Sequence, residues 1–218
     1  MMEYAGVSER ARATLASQVF GLLAFSLLFT AGGAYLAPYL GPGAFWLALV
    51  GSFGGLIALY FLKEKSPINL GLFYLFSMAE GLLLGLVVET YLARGMGMVV
   101  LNAAATTAAL VLALSAYAWT TKRDLAGLGS LLTVALLGVI IASLVNLLLL
   151  HAPLVSLVIS AATAIIFSGF ILVDMQRLRE AKGGTGDAIM FAIAIYLDIF
   201  NLFLSLLQIF GFLSGREE

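Results

Sequence analysis

The sequence predicts an all-α integral membrane protein, a bundle of seven transmembrane helices. Hydrophobic residues make up 62% of the 218 residues and charged residues only 11%, whereas a soluble domain has roughly 45–50% apolar and about 25% charged residues. The charges are also confined to short breaks between long apolar runs. Because a transmembrane helix needs about 20 mostly apolar residues, seven of these runs qualify as spans.

The seven predicted spans follow one another with short connections. Each ends where proline, glycine or charge interrupts the apolar run, because proline lacks a backbone donor and glycine gains too much freedom in a helix. The spans run roughly over Thr14–Leu36, Ala44–Leu62, Leu70–Leu92, Met96–Thr120, Leu128–Leu150, Leu154–Val173 and Ala188–Leu213. The interruptions lie at Pro38–Pro42, Lys63–Pro67, Arg94–Gly95, Lys122–Asp124, His151–Pro153 and Arg177–Asp187, the last with Gly183, Gly184 and Gly186.

Residues 14–213 are therefore predicted to form one transmembrane domain, between an N-terminal tail of residues 1–13 and a short C-terminal tail of residues 214–218. The N-terminal tail is polar, and no small-residue cleavage site follows a short apolar core, so we interpret it as an uncleaved cytoplasmic tail and not as a signal peptide.

The distribution of basic residues predicts the orientation. With the N-terminus inside, the inner side holds nine Lys and Arg residues and the outer side two, which is a strong positive-inside bias. The inner residues are Arg10, Arg12, Lys63, Lys65, Lys122, Arg123, Arg177, Arg179 and Lys182, and the outer ones are Arg94 and Arg216. Arg216 alone does not decide whether the seventh segment crosses fully or returns as a re-entrant hairpin.

Two acidic residues lie inside or at the edge of the last two spans, Asp174 and Asp198. An aspartate at the centre of a transmembrane helix costs about 2.5–3.5 kcal/mol on insertion scales, so a chain that keeps two of them is predicted to use them. A pair of carboxyl groups in a membrane is typical of a site that binds cations or protons.

Each aspartate belongs to a polar stripe at helical spacing. The sixth span carries Ser156, Ser160, Thr163 and Asp174, and the seventh carries Asp198, Asn201, Ser205 and Gln208. Unpaired polar groups in hydrocarbon cost several kcal/mol, so both stripes are expected to face protein or water. Asp174 lies near the cytoplasmic end of its helix and Asp198 about 11 residues, roughly 16 Å, into its own, so periodicity leaves their contact open.

The acidic and basic residues of the spans also have structural interpretations. Asp174 can pair with Arg177 three residues on, and Asp198 can be a hydrogen-bonded packing residue. Glu80, in the middle of the third span, can hold helices together or belong to an ion path. Lys63 can be a flanking residue whose amine reaches the membrane surface, or a counter-charge to Asp174.

Small and amide residues inside the spans predict helix packing. Gly51 with Gly55 and Gly81 with Gly85 have the four-residue spacing that allows close helix contact in lipid. Asn146 is expected to hydrogen-bond between helices and not to bind a ligand.

The remaining composition argues against catalysis and against a resident cofactor. There is no cysteine and a single histidine, so thiolate and His-rich metal sites are excluded, and His151 is expected to be a solvated loop residue. No base is placed near a serine within a span, and no glycine-rich phosphate loop is present. We therefore expect neither an enzyme nor an ATP-driven pump, and no nucleic-acid partner.

Four segments carry a family resemblance. AIAIYLDIFNLFLSLLQIFG at 192–211, FSGFILVDMQRL at 167–178, TTKRDLAGLGSLL at 120–132 and AEGLLLG at 79–85, with seven spans of matching spacing, resemble the transmembrane Bax inhibitor motif family. The YLDxxNLF element at 196–203 is the most specific of these. The short N-terminal tail is similar to that of the family's bacterial, calcium-leak branch.

The resemblance implies six helices around a central, polar last helix. It implies a passive, pH-sensitive calcium leak, with Asp174 and Asp198 as a hydrogen-bonded dyad toward the cytoplasmic side. It also implies that a basic residue near the end of the second helix latches one aspartate. Lys63 is the candidate latch, and because lysine lacks the two-pronged geometry of arginine, the closed state is expected to be held less firmly.

The function expected from these observations is a calcium or cation leak channel gated by protonation of Asp174 and Asp198. Two adjacent carboxylates repel, so such a pair shares a proton, and after its loss the oxygens can bind Ca²⁺ transiently. Ca²⁺ and H⁺ are then transported or sensed ions in a prokaryotic inner membrane, with unknown protein partners and no cofactor. Asn201, Glu80, Ser205 and Gln208 are the supporting polar residues. The alternatives are a proton-coupled transporter of a small solute and a non-transporting scaffold or regulator.

Overall fold

The computed structural model describes residues 2–181 and 185–215, with side chains from residue 14 to 181 and from 187 to 215. Lys182, Gly183, Gly184 and Arg216, which the loop and charge predictions used, lie outside the described residues, as do the side chains of Arg10 and Arg12. The described residues form helices and turns, without strands.

Seven α-helices, in the described part of the chain, are long and apolar enough to cross a membrane. They are α1 Met2–Leu40, α2 Gly43–Leu62, α3 Ile68–Leu92, α4 Gly97–Thr120, α5 Ala126–Val145, α6 Pro153–Glu180 and α7 Thr185–Ser214. A π-helical turn, Asn146–Leu150, extends α5, and the chain then reverses at His151, which adopts the left-handed conformation with φ 50°. The predicted seven-span, all-α architecture is confirmed.

Several helix ends differ from the predicted ones. α1 continues through Pro38 to Leu40, so the predicted interruption at Pro38 is wrong; a helix can pass a proline near its end at the cost of one backbone hydrogen bond. α7 already begins at Thr185. α1 begins at Met2, so the predicted tail continues the first span as helix. α6 runs on to Glu180, which places Asp174 within the helix and not at its edge. α7 is one continuous helix of 30 residues, or roughly 45 Å at 1.5 Å per residue, which is a full span and not a re-entrant hairpin.

The chain divides into two compact units. The first comprises Met1–Gly95 with Glu180–Tyr196, and therefore α1, α2, α3 and the first part of α7. The second comprises Met96–Arg179 with Leu197–Glu218, and therefore α4, α5, α6 and the rest of α7.

Close backbone approach holds α1 against α3 in the first unit. A side chain on Gly81 would overlap the backbone of Thr30, and one on Gly85 would overlap Ala34. Glycine at these positions lets the two backbones touch, which is how helices associate in lipid without a hydrophobic driving force. The predicted role of this glycine pair in packing is confirmed.

Side chains from the end of α6 anchor the loop between α4 and α5 in the second unit. Gln176 accepts a hydrogen bond from the Leu125 backbone at 2.7 Å and donates one to the Arg123 carbonyl at 2.8 Å. Arg179 donates to the carbonyls of Ala118 and Thr121 at 2.9 and 3.0 Å. These bonds satisfy backbone groups that a helix end leaves without partners.

Asn146 performs a similar task at the other end of α6. Its amide donates to Ser156 Oγ at 2.8 Å, and its side-chain oxygen accepts from the Ala152 backbone at 3.1 Å. The predicted packing role of Asn146 is confirmed, and the adjacent His151 is exposed, as expected.

Burial differs sharply between the helices. In the most apolar stretch of Asp187–Ser214, 56% of the residues are buried, whereas in the most apolar stretch of Ala126–Leu150 only 6% are buried. Burial of this extent gives many α7 side chains protein neighbours, as polar groups in lipid require, whereas most α5 side chains are exposed, as in a lipid-facing helix. The central position of the last helix stays a prediction.

We expect Gly81→Ala to destabilise the protein by about 1–3 kcal/mol, the usual range for overpacking, because the new methyl group overlaps the Thr30 backbone. Gly71→Ala, also on α3, is the matched control, since nothing lies within 4 Å of its added methyl group. Thermal unfolding in detergent micelles measures both. Equal midpoints for the two variants would contradict the close packing of α1 on α3.

Candidate intramembrane acidic site

Asp174 is a buried carboxyl group on α6, with 8% of its surface exposed. Its Oδ1 accepts a hydrogen bond from Arg177 Nη1 at 3.1 Å, one helical turn on. The Arg177 side chain is 53% exposed, so this ion pair is partly solvated and contributes little on its own. The ion pair of Asp174 with Arg177, which was the structural interpretation of Asp174 from the sequence, is present.

A glycine on α5 makes room for that arginine. A side chain on Gly129 would come within 2.9 Å of Arg177 Nη2 and within 3.7 Å of Val173 Cγ1. The absence of a side chain at Gly129 therefore lets the Arg177 guanidinium lie over α5.

Asp198 is the more isolated carboxyl group. It is 6% exposed, and its Oδ2 is buried without a hydrogen-bond partner among the described residues. The negative charge of Asp174 acts on it electrostatically. Asp174 and Asp198 both lie in the second unit as buried carboxyl groups. Their pairing as a hydrogen-bonded dyad stays a prediction.

This arrangement restricts what the pair can bind. An unpaired buried carboxylate is costly, so Asp198 Oδ2 requires a proton, a cation or a water molecule as partner. No group of three or more His, Cys, Asp or Glu side chains that could hold a metal ion occurs in the described ranges. Ca²⁺ takes six to eight oxygen ligands, and two carboxylates supply at most four, so an ion here would keep part of its water shell and bind transiently.

The polar stripes of α6 and α7 contact each other through Ser160 and Gln208. Ser160 Oγ on α6 lies 2.7 Å from Gln208 Oε1 on α7 and 2.9 Å from the Ser156 carbonyl oxygen. Gln208 is about 10 residues, or roughly 15 Å, along α7 from Asp198. The second unit therefore places polar groups of both helices at two depths.

The other supporting residues on α7 bond within their own helix. Asn201 Nδ2 donates to the Leu197 carbonyl at 2.8 Å, and Ser205 Oγ donates to the Asn201 carbonyl at 2.7 Å. Both bonds satisfy the side chains locally, which is how polar residues are accommodated in a transmembrane helix without an external partner.

Two predicted residues, Lys63 and Glu80, lie in the first unit. Lys63 follows the last residue of α2, and its backbone oxygen accepts a bond from Asn69 Nδ2 at 2.6 Å. Glu80 is half-buried on α3, and its polar neighbours include Ser52 and Tyr196. The latch role of Lys63 and the ion-path role of Glu80 stay predictions.

A buried polar cluster around Tyr196 was not predicted. The Tyr196 hydroxyl lies 2.8 Å from Thr30 Oγ1 and 3.5 Å from the Ser77 carbonyl oxygen. Its ring meets Phe73 and Phe76 edge-on, with centroids 6.1 and 5.9 Å apart. Tyr196 precedes Asp198 by two residues, about 200° around the helix, so α7 carries polar groups on two opposite sides. The spacing of Tyr196 and Asp198 could have indicated a second polar side of α7. Their sequence context does not identify the partners, because Thr30 and Ser77 are isolated polar residues in apolar runs.

Comparison with known proteins identifies the family. A family model described as inhibitor of apoptosis-promoting Bax1 matches residues 12–215. The chain belongs to this Bax inhibitor family. The family resemblance seen in the sequence is thereby confirmed.

Bacterial relatives of this Bax inhibitor family member span most of the chain. An uncharacterized protein of Campylobacter jejuni is 34% identical over 91% of this chain and 88% of its own length. The modulator of FtsH protease YccA of Escherichia coli is 34% identical over 88% of this chain and 87% of its own. An uncharacterized membrane protein of Streptococcus pyogenes is 36% identical over 68% of this chain and 66% of its own. The chain is accordingly an integral, multi-pass membrane protein.

We expect the Ser160–Gln208 contact to stabilise the second unit by about 0.6 kcal/mol, the average for hydrogen bonds between transmembrane helices. A double-mutant cycle of Ser160→Ala and Gln208→Leu, read from unfolding in mixed micelles, measures this coupling. The control cycle pairs Ser205→Ala with Gln208→Leu, because the Ser205 hydroxyl bonds only within α7. A coupling energy of zero in the first cycle would show that the two stripes do not interact here.

Proposed function

We propose that this protein is a pH-sensitive, passive calcium leak channel, in which protonation of Asp174 and Asp198 controls the flow of ions. The observation that carries the proposal is the presence of two buried carboxyl groups in the second unit, on two membrane-spanning helices. One of them, Asp198, has an oxygen without a hydrogen-bond partner among the described residues. Such groups are costly in a membrane and are typically part of ion or proton pathways.

The proposed switch is a change of charge within the pair. While the two carboxyl groups share a proton, their mutual repulsion is relieved and α6 and α7 stay together. Loss of the proton leaves two negative charges, which either repel or bind Ca²⁺ through their oxygens. A local charge change of this kind can bias a bistable arrangement of packed helices. Arg177 moderates the change, since it already neutralises one oxygen of Asp174.

The proposed ion path follows the polar residues shared by α6 and α7. It leads from Asp174 and Asp198 along α7, past Asn201 and Ser205, to the Ser160–Gln208 contact. Hydroxyl, amide and carboxylate oxygens are the ligands that Ca²⁺ prefers. In a bacterial inner membrane with the N-terminus in the cytoplasm, as the basic loops favour, the acidic pair lies toward the cytoplasmic side.

We expect Asp198→Asn and Asp174→Asn to abolish most of the pH dependence of calcium flux, because an amide cannot titrate. The measurement is Ca²⁺ uptake into proteoliposomes of the purified protein between about pH 5 and pH 8. Glu89→Gln is the matched control, since Glu89 is an exposed acid on α3. If both aspartate variants keep the parent's flux and pH profile, the acidic pair is not the gate. A proton flux that requires a solute gradient, without Ca²⁺ permeation, would favour a solute transporter instead.

We expect Lys63→Ala to raise the calcium flux at a given pH while leaving thermal stability within about 0.5 kcal/mol, as for surface substitutions, if Lys63 holds the closed state. Lys65→Ala, an exposed lysine two residues on, is the control. The same proteoliposome assay gives the flux, and thermal unfolding gives the stability. Identical pH profiles for the Lys63 variant and the parent would remove Lys63 from the mechanism.

A second candidate function is regulation of a membrane protease. It is favoured by the name of the Escherichia coli relative, a modulator of FtsH protease. Co-reconstitution with a bacterial FtsH protease, followed by degradation of a membrane substrate, distinguishes the two functions. Regulation without transport would be supported if the protein alters degradation by FtsH but shows no Ca²⁺ flux in the proteoliposome assay. The Asp198→Asn variant would then alter degradation to the same extent.

A further inference from the structure

The first unit contains an open groove of about 660 Å³. It is lined by α1, by the connection between α2 and α3, and by the first turns of α3 and α7. Its size falls within the range of small-molecule sites in proteins. None of the residues proposed for ion conduction lines it.

Along α1, the residues that line the groove change from polar to apolar with depth, and apolar residues at the start of α3 and α7 line its mouth as well. Glu64 and Ser66 lie in the connection between two spans, and Gln18 lies about 6 Å into the first one. The residues farther along α1, Leu22 and Phe25, lie roughly 12 and 16 Å into the same span. The groove therefore begins at the membrane surface and reaches about half the depth of the hydrocarbon, which is roughly 30 Å thick.

One charged side chain lines the groove, namely Glu64. It is exposed, and among the described residues it has neither an ion-pair nor a hydrogen-bond partner. The polar end of the groove thus presents an unpaired negative charge, while Leu22 and Phe25 form its apolar end. This combination is complementary to an amphiphile with a cationic group at one end and an acyl chain at the other.

We propose that the groove binds one phospholipid with a primary-amine headgroup, taken from the leaflet at which α1 and α3 begin. The ammonium group pairs with the Glu64 carboxylate, and one acyl chain lies along Leu22 and Phe25. Lipids with a net negative headgroup are disfavoured, because their charge meets that of Glu64. This site is independent of the proposed ion conduction.

A glycine on α1 provides a way to fill the groove. Gly21 lines it, and nothing lies within 4 Å of a side chain added there. The Cβ atom of a residue at this position therefore has space, and the rest of a leucine side chain would occupy the groove. Gly32, also exposed on α1, has the same open surroundings but does not line the groove, so Gly32→Leu is the matched control for the added apolar volume.

The test is native mass spectrometry of the full chain in detergent, titrated separately with phosphatidylethanolamine and with phosphatidylglycerol. The parent protein and Gly32→Leu are expected to retain one phosphatidylethanolamine. Gly21→Leu is expected to lose it. Glu64→Gln is expected to weaken the binding of phosphatidylethanolamine roughly tenfold, the usual effect of removing one charge-assisted hydrogen bond. The same variant is expected to reduce the difference in affinity between phosphatidylethanolamine and phosphatidylglycerol. Thermal unfolding of each variant confirms that it is folded.

Three results would overturn the proposal. Equal binding of the two lipids, unchanged by Glu64→Gln, would mean that Glu64 does not select a headgroup. Retention of phosphatidylethanolamine by folded Gly21→Leu would place the lipid elsewhere. A protein dimer that Gly21→Leu abolishes, without any bound lipid in the parent, would make the groove a contact between two copies of the chain.

Discussion

Hydrocarbon offers no hydrogen bonds, and this constraint governs where every polar group of the seven helices is placed. In the first unit, Tyr196 meets Thr30, and in the second, Ser160 meets Gln208. Asn201 and Ser205 instead turn back to their own helix. Asp198 Oδ2 is an exception, and among the described residues Ser52 Oγ and Ser115 Oγ are also buried without a hydrogen-bond partner. Natural proteins tolerate such exceptions mainly where function requires them.

The two units solve the packing problem in lipid by different means. In the first, glycines at Gly81 and Gly85 bring the backbones of α1 and α3 into contact. In the second, Gln176 and Arg179 at the end of α6 hold the connection between α4 and α5. Gln176 accepts a hydrogen bond from the Leu125 backbone, and Arg179 donates one to the Ala118 carbonyl. Close packing of backbones favours a rigid unit, whereas a loop anchored by side chains can be released through those side chains. The acidic pair lies in the second unit, on α6 itself and on α7.

Helix α7 connects these features within a single span. Its first part carries Tyr196, which belongs to the hydrogen-bonded cluster of the first unit, and its second part carries Asp198. A change of charge at Asp198 therefore acts on a helix that is anchored only two residues away.

The sequence alone determined the number of spans, most of the breaks between them and the polar stripes on α6 and α7, because hydropathy and helical periodicity are local properties of the chain. It did not show that helix continues through Pro38 and past Arg177. It also singled out Asp174 and Asp198, since a charged residue in an apolar run is conspicuous without any knowledge of packing. Only the tertiary structure decided that Gly129 makes room for the Arg177 partner of Asp174, that Tyr196 bonds to Thr30, and that a groove opens beside Glu64. Those contacts depend on how helices rotate and approach one another, and several rotations leave the same periodicity unchanged.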